Sequence, residues 1–540
     1  MVRVIFSDGR EVAVEAGIKL SEVLKEAGRL ADFPCGGKGK CGKCKVKVAF
    51  RPEAHEQDYQ EVTACTFSLQ QDLWVQASGQ PEDLGTVILT GGAKDRHTID
   101  RGDTPPSPAD RVPRGAADDS WGLAVDIGTT TVVGYLVNLS TGVEAAVGAE
   151  LNSQRVYGAD VISRITAAQN SPEKLKDMQR LIIGTINSII ETTAKKAKIS
   201  PGQISSVTLA GNTCMHHLLL GLNPKTLGRA PFLPLIQQEV VVAARELGLG
   251  INPDAVVWVF PVIAGFVGGD TVGAVLATNL QGRGGIRLLV DIGTNGELVL
   301  SVDGRMTACS AAAGPALEGA QVLYGMRAEN GAISRVRLLP EIETEVIGNA
   351  APKGICGSGL IDLLGELVRV GALTLKGGFV RPQQYTGPEQ LRRRIIPGEK
   401  GCRFVLVRPE ENNGQEISLT QDDVLQLQLA KGALHAAMAL LVENAGITGE
   451  QVEEILLAGA FGNFLDPDQA LTIGLFPEWA AGKITQVGNA AGEGARAVLL
   501  DPEKRAEAVG IGENTGFLEL AGTKEFSDAF IKGIIFRNAG

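Results

Sequence analysis

Four cysteines close to the N-terminus, Cys35, Cys41, Cys44 and Cys65, constrain this chain more than any other feature. Three of them crowd one glycine- and lysine-rich loop, Cys35-Gly36-Gly37-Lys38-Gly39-Lys40-Cys41-Gly42-Lys43-Cys44, and the fourth follows after a gap of twenty residues. Three thiolates on a tight loop with a fourth from a distance is the ligand pattern of a [2Fe–2S] cluster. The glycines let the loop bend round the cluster and bring backbone N–H groups to the sulfides without Cβ obstruction. Structural zinc is the competing reading, but it usually shows two separate C-x2-C pairs, and only one is present. The first spacing is five residues rather than the four of the plant-type pattern, so the match is to a ferredoxin variant.

The flanking sequence fits a small ferredoxin-like domain over residues 1–80. Met1 to Phe6 alternates like a strand, Asp8-Gly9-Arg10 supplies a turn, and Glu11 to Glu15 alternates again, which predicts a β-hairpin. Leu20 to Ala27 reads as a short helix ahead of the loop. Five lysines between Cys35 and Phe50 (Lys38, Lys40, Lys43, Lys45, Lys47), with no acid among them, form a basic rim. That rim either docks an acidic electron donor or offsets the cluster's negative charge.

At 540 residues the chain is too long for one core, and two to four domains are expected. A formal net charge of −11 argues against a general nucleic-acid binder. No apolar run approaches the ~18 residues of a membrane span, and the N-terminus reads as a charged strand rather than a signal peptide. The other cysteines (Cys214, Cys309, Cys356, Cys402) are scattered, as expected of reduced thiols in a cytoplasmic protein. Residues 81–119, with Pro105, Pro106, Pro108 and Pro113 among charges, read as a semi-extended tether that lets the cluster domain swing between donor and acceptor.

Beyond the tether the chain repeats a pattern. An apolar strand ends in Asp126-Ile127-Gly128-Thr129-Thr130, and 291 − 126 = 165 residues later another ends in Asp291-Ile292-Gly293-Thr294-Asn295; each runs on into a second strand. Such a turn offers backbone N–H groups and a Thr hydroxyl to a phosphate, and the Asp at the strand end can hold Mg²⁺ through water. One Gly-Thr hairpin is weak evidence; two in register are strong. Ser171-Pro172-Glu173 opens a helix to about Lys198, Thr420 to Asp423 a second to about Asn444. Mixed α/β architecture follows. Four further stretches, around Gly265 to Asp270, Ala313 to Gly319, Gly354 to Gly359 and Gly488 to Gly494, are too glycine-rich for element interiors and suggest a cleft lined by main chain. His216 and His217 are expected to cap or pack rather than bind metal.

The duplicated turns resemble the superfamily of acetate and sugar kinases, heat-shock chaperone ATPases and actin. The resemblance implies two ribonuclease-H-like lobes (residues 120–285 and 286–540) that clamp ATP and Mg²⁺ between Gly128, Thr129, Thr130, Gly293, Thr294 and Asn295, with Asp126 and Asp291 as the catalytic acids. It also implies a third element that receives adenosine, for which Gly459-Ala460-Phe461-Gly462 stands in the right place, although Ala460 and Phe461 depart from the usual run of glycines. As a set, CGGKGKCGKC, DIGTT, LAGNTCMH, DIGTNGE, AAGPALEG, GICGSGLID and LAGAFGN resemble the reductive activators of corrinoid proteins. That family implies one-electron reduction of an inactive Co(II) corrinoid to Co(I), made possible by ATP hydrolysis. The partners implied are a corrinoid methyl-carrier protein and a low-potential donor (ferredoxin, flavodoxin or reductase), and a homodimer is expected. Ser358, between two glycines in a turn that would expose its hydroxyl, is a candidate oxygen donor to the cobalt. The competing readings are an activator of another low-potential enzyme such as a 2-hydroxyacyl-CoA dehydratase, a small-molecule kinase with a regulatory cluster, and an ATP-gated scaffold. The first of these uses a [4Fe–4S] cluster between subunits and no ferredoxin domain.

Overall fold

The structure, a computed structural model, describes residues 1–7, 9–27, 39, 44–51, 58–76, 120–399, 401–459 and 462–537. Cys35, Cys41, the tether, Ala460 and Phe461 lie outside them.

The N-terminal unit is a five-stranded mixed sheet in the order Glu11–Val14, Val2–Phe6, Leu73–Val75, Lys45–Ala49, Gln60–Thr63. The first two strands form the expected hairpin, with Val4 opposite Val12. Val2–Phe6 also runs parallel to Leu73–Val75. Strict alternation puts Val2, Val4 and Phe6 on one face, where they meet Leu20, Val23 and Leu24 of the helix Leu20–Glu26. This β-grasp-like arrangement is the ferredoxin-like fold expected of the N-terminal domain.

Two six-stranded sheets follow. The first runs Val240–Ala243, Val256–Val259, Ile204–Gly211, Trp121–Ile127, Thr131–Asn138, Glu144–Leu151. The second runs Ile484–Gly488, Glu454–Ala458, Ile286–Ile292, Gly296–Val302, Arg305–Ala311, Gly516–Phe517. In each, three consecutive antiparallel strands carry a fourth and a fifth, both parallel to the first, on the other side. That repeated order is the ribonuclease-H-like duplication implied by the paired turns. It also forces Asp126 and Asp291 to equivalent places, opposite Ala210 and Ala458 on the parallel neighbours.

The helix Pro172–Ala197 buries Ile182, Ile186, Ile189 and Ile190 against the first sheet, and its N-cap Ser171 accepts from the Lys174 N–H. The helix Gln421–Asn444 begins in a Thr420–Asp423 capping box. It is long and apolar enough to cross a membrane, but 67% of its apolar window is buried in the molecule, so it serves as the core helix of the second lobe.

A third core lies between the lobes, where helices Gly269–Thr278 and Ala490–Leu500 cross. The expectation that the glycine-rich stretches avoid element interiors is corrected here. A Cβ on Gly494 would stand 2.1 Å from the Gly273 carbonyl oxygen, and one on Gly273 2.9 Å from that of Ala491. Glycine is required because two helix backbones touch, and that gain outweighs its cost of about 1 kcal/mol in a helix.

Candidate functional site

Both predicted turns sit at the mouth between the lobes. In the first, the Gly128 N–H donates to the Thr131 carbonyl at 3.0 Å, and a Cβ there would lie 2.6 Å from the same oxygen. In the second, the Gly293 N–H donates to the Asn295 carbonyl at 2.9 Å. The first turn is braced from behind by three buried polar side chains. Asn152 Nδ2 donates to Gly128 O at 2.9 Å, Arg164 Nη2 to Thr129 O at 2.5 Å, and Asn212 Nδ2 to Thr129 Oγ1 at 2.9 Å. Arg164 is wholly buried, and burial draws its pKa down to about 10, which still leaves it cationic at neutral pH behind a phosphate-type turn.

The two turns also meet. Thr130 Oγ1 and Thr294 Oγ1, 3.5 Å apart, both donate to Glu318 Oε2, at 3.0 and 3.1 Å. Around them gather carboxylates from four elements. Asp126 is pushed up to about 7 by burial, with Asp270 adding to the shift and a hydrogen bond from Asn489 Nδ2 (3.0 Å) opposing it. Asp291 is also pushed to about 7, by burial and then by the charges of Asp270 and Asp126. Asp270, at the start of its helix, rises to about 6 through burial, opposed by the Thr271 N–H. Glu297 lies well above its usual range through burial and the charges of Asp270 and Asp291, and Glu318 is raised by burial against its two hydroxyl bonds. A cation bound among these acids would displace their protons. Among the described residues no three such groups stand in metal-binding geometry.

Asp270, Glu297, Glu318 and Asn489 carry no role in the sequence reading, although three of them stand in its glycine-rich stretches and Glu297 in DIGTNGE. Of the predicted adenosine element, Gly459 comes directly to the site: its φ is +93°, and a Cβ on it would sit 2.6 Å from Asp291 Oδ1. Gly462 opens a short 3₁₀ turn, Gly462–Phe464, whose Gly462 carbonyl accepts from Gln486 Nε2 at 2.7 Å.

Ser358 is corrected. It does not occupy an exposed turn but the first turn of helix Gly357–Arg369; it is 3% exposed and donates to Ser334 O at 2.9 Å. Asp362 and Glu366, one and two turns on, accept from the backbone N–H groups of Val336 and Leu338. A Cβ on Gly359 would lie 2.3 Å from Ile333 O. The GSGLID motif therefore clips a helix onto the strand Ala332–Arg337. His216 and His217 pack, as expected: both are buried, and His217 bonds the Thr213 carbonyl and the Leu235 N–H.

In the N-terminal unit, Cys44 immediately precedes Lys45–Ala49 and Cys65 closely follows Gln60–Thr63. Those strands pair antiparallel with Lys45 opposite Thr63, so the two cysteines must meet at the open end of the pair. Their Sγ atoms are 3.1 Å apart in the buried core, and the Cys65 N–H points at Cys44 Sγ at 3.5 Å. Two buried thiols at this distance, with an N–H turned to sulfur, fit the half of a cluster cradle that these residues would supply. Lys45 of the basic rim is paired with Glu61 at 2.9 Å.

Fold and site thus define a two-lobed, actin-like ATPase joined to an iron–sulfur domain. Three family models tile the chain: a 2Fe-2S iron-sulfur cluster binding domain over residues 5–70, the RACo middle region over 121–283, and the C-terminal domain of RACo, the ASKHA domain, over 285–540. The chain is 33% identical to the corrinoid activation enzyme RamQ of Eubacterium limosum over 97% of both proteins. It is 27% identical, over half of each, to a Co(II) methylated amine-specific corrinoid protein reductase of Methanosarcina barkeri. Among solved structures, a reductive activator for a corrinoid, iron–sulfur protein matches with a TM-score of 0.71 and 29% identity, covering 99% of this chain and 98% of the other. The chain belongs to the family of corrinoid activation enzymes.

Proposed function

We infer that this protein uses ATP to drive the one-electron reduction of a Co(II) corrinoid, carried by a partner protein, to Co(I). The observation that carries the reading is the union on one chain of two facing phosphate turns and a buried thiol pair at the head of a β-grasp sheet. Phosphoryl chemistry alone has no use for a cluster, and electron transfer alone has no use for paired phosphate turns. When bound, the [2Fe–2S] cluster supplies a single-electron carrier, and Cys35, Cys41, Cys44 and Cys65 would hold it.

On the nucleotide side, Thr129, Thr130, Thr294, Asn295 and the turn amides are the donors for phosphate oxygens. Asp126, Asp270, Asp291 and Glu297 would hold hydrated Mg²⁺, surrendering their protons as it binds. Arg164 steadies the first turn and places positive charge behind it. Gly459 and Gly462 lie where the adenosine would enter.

The test is spectroscopic. The reduced protein, Mg-ATP and a cob(II)alamin-loaded carrier are mixed, and the Co(I) absorbance is followed; its appearance only when all three are present is the expected result. Phosphorylation of a small metabolite without Co(I) would favour the kinase reading instead. We further propose a low-potential ferredoxin, flavodoxin or reductase as donor, and work in the cytoplasm, supported by buried, unpaired thiols at Cys214, Cys309, Cys356 and Cys402. A homodimer is supported by exposed Leu425, Leu429, Ile531 and Ile535 on or beside the paired helices Gln421–Asn444 and Lys524–Ile534, and sedimentation would check it.

A further inference from the structure

Glu318 holds a position that a nucleotide-binding site should keep for phosphate. Its Oε2 takes the hydroxyl protons of Thr130 and Thr294, one from each lobe, at 3.0 and 3.1 Å. Its Oε1 lies 3.7 Å from where a Cβ on Gly293 would stand, so the carboxylate rests over the second turn itself. A threonine hydroxyl has one proton to give. A phosphate oxygen and the Glu318 carboxylate therefore compete for the same two donors. Burial raises the Glu318 pKa, and whatever charge the carboxylate keeps in this partly desolvated cleft repels an adjoining phosphate.

The backbone around Glu318 is built to register its displacement. Glu318 ends the 3₁₀ turn Pro315–Glu318, which lies between Gly314 (φ +76°) and Gly319 (φ +79°). Pro315, Ala316 and Leu317 are buried. Leu317 belongs to the same core as Leu360 and Leu364 of helix Gly357–Arg369 and Leu427 and Leu434 of helix Gln421–Asn444. On the far side, a Cβ on Gly319 would lie 2.4 Å from the Met326 carbonyl oxygen, so the turn has no slack toward residue 326. A carboxylate expelled from the phosphate position thus pulls on a turn seated directly on two long helices of the second lobe.

We propose that Glu318 is a clasp displaced by nucleotide: in the nucleotide-free protein it ties the two phosphate turns together, and the phosphates of ATP take over Thr130 and Thr294 and expel it, signalling occupancy to the turn Pro315–Glu318 and its packed helices. This rests on the reading of the paired turns as the nucleotide site. It separates Glu318 from Asp126, Asp270 and Asp291, which the cation draws in rather than drives out.

The test measures affinity and backbone protection in the full-length protein loaded with its cluster. Calorimetry with Mg-AMPPNP should show Glu318→Ala binding about tenfold more tightly than the wild type, because a charged internal competitor worth one strong hydrogen bond has gone. Glu318→Gln, which keeps the shape and an acceptor but loses the charge, should bind about threefold more tightly, and it serves if the alanine variant does not fold. Hydrogen exchange across residues 313–326 should rise in the wild type on adding Mg-AMPPNP, and should start high and stay unchanged in Glu318→Ala. Affinity unchanged in both variants would overturn the clasp, and affinity weakened in both would overturn it by making Glu318 a direct ligand of the bound nucleotide or its metal. A wild-type protein that bound no Mg-AMPPNP at all would instead overturn the nucleotide-site reading beneath it.

Discussion

Replacing Gly459 with alanine should cripple ATP turnover through Asp291. Gly459 adopts φ +93°, where a side chain is strained by roughly 1–3 kcal/mol. A Cβ there would stand 2.6 Å from Asp291 Oδ1 and 2.9 Å from Ile292 O, about 0.8 and 0.5 Å inside the 3.4 Å at which ordinary contact begins. The Ile292 carbonyl is fixed in its strand, so the carboxylate must yield by the better part of an ångström. Misplacement of about 1 Å in a reacting geometry costs on the order of 10²-fold in rate. Steady-state hydrolysis by Gly459→Ala should therefore show kcat down roughly a hundredfold, with the visible spectrum of the cluster unchanged. The internal control is Gly446→Ala, also at positive φ (+66°) but with nothing within 4 Å of its Cβ, whose kcat should stay within threefold. A rise in KM with kcat intact in Gly459→Ala would refute the argument, because it would mean that the glycine makes room for adenosine and does not position Asp291.

Three further outcomes follow from the same geometry. Cys44→Ser or Cys65→Ser should drop iron content from two per chain and abolish the paramagnetic signal of the reduced protein, while leaving ATP binding measurable by calorimetry. With Asp126 and Asp291 near 7 and Asp270 near 6 against an ordinary 3.8, the nucleotide-free fold retains protons that the unfolded chain releases. These groups therefore lower its stability as pH rises from about 4 to about 7. Mg²⁺ must displace those protons, so Mg-ATP affinity should climb with pH up to about 7 and then level off, with proton release measured calorimetrically in two buffers at pH 6.5. Asn489→Ala removes the N-cap bond to Gly492 N and the bonds to Asp126 Oδ2 and Tyr135 Oη, at a cost of about 1 and about 1.5–3 kcal/mol. Thermal scanning should show a lower melting temperature, and Asn489→Asp, a good cap beside a like charge, should recover stability only when Mg²⁺ is present.

What the sequence revealed of this site was whatever is local to one segment. Cys44 and Cys65 are recognisable because ligand spacing is a sequence property, and Asp126 and Asp291 because a strand, a turn and a second strand are written within a dozen residues. Asp270, Glu318 and Asn489 are not recognisable this way: each stands in a glycine-rich stretch whose role depends on a neighbour far along the chain. Gly494 looks like a loop glycine in isolation and proves to be a helix glycine, because only the opposing backbone at Gly273 shows why a Cβ cannot be tolerated. Ser358 misled for the related reason that Gly-Ser-Gly reads as a turn. The bond that holds its hydroxyl inside goes to Ser334, twenty-four residues upstream, on a strand no local pattern ties to it.

The separation of cores bears on how ATP does its work. Among the described residues, the fourteen buried side chains that cluster with Cys44 and Cys65 form a core drawn wholly from residues 2–75, and none is shared with the three cores of the lobes. A rearrangement at Asp126, Asp291 or Glu318 therefore has no packed route to the cluster's surroundings among the described residues. Energetics point the same way. For a one-electron couple a tenfold change in equilibrium is about 59 mV, so a coupling free energy of about 1–3 kcal/mol moves a potential by only about 40–130 mV. The lobes, by contrast, share a buried core and several direct bonds, among them the Thr130–Glu318–Thr294 bridge, the Asn489–Asp126 bond, the Thr208–Ala495 bond, the Arg496–Glu144 ion pair and the Gly273/Gly494 helix crossing. Nucleotide binding acts on the first two directly. Its leverage is thus on the relation between the lobes, and so on whatever surface they present to the corrinoid carrier, rather than on the electron waiting at the cysteines.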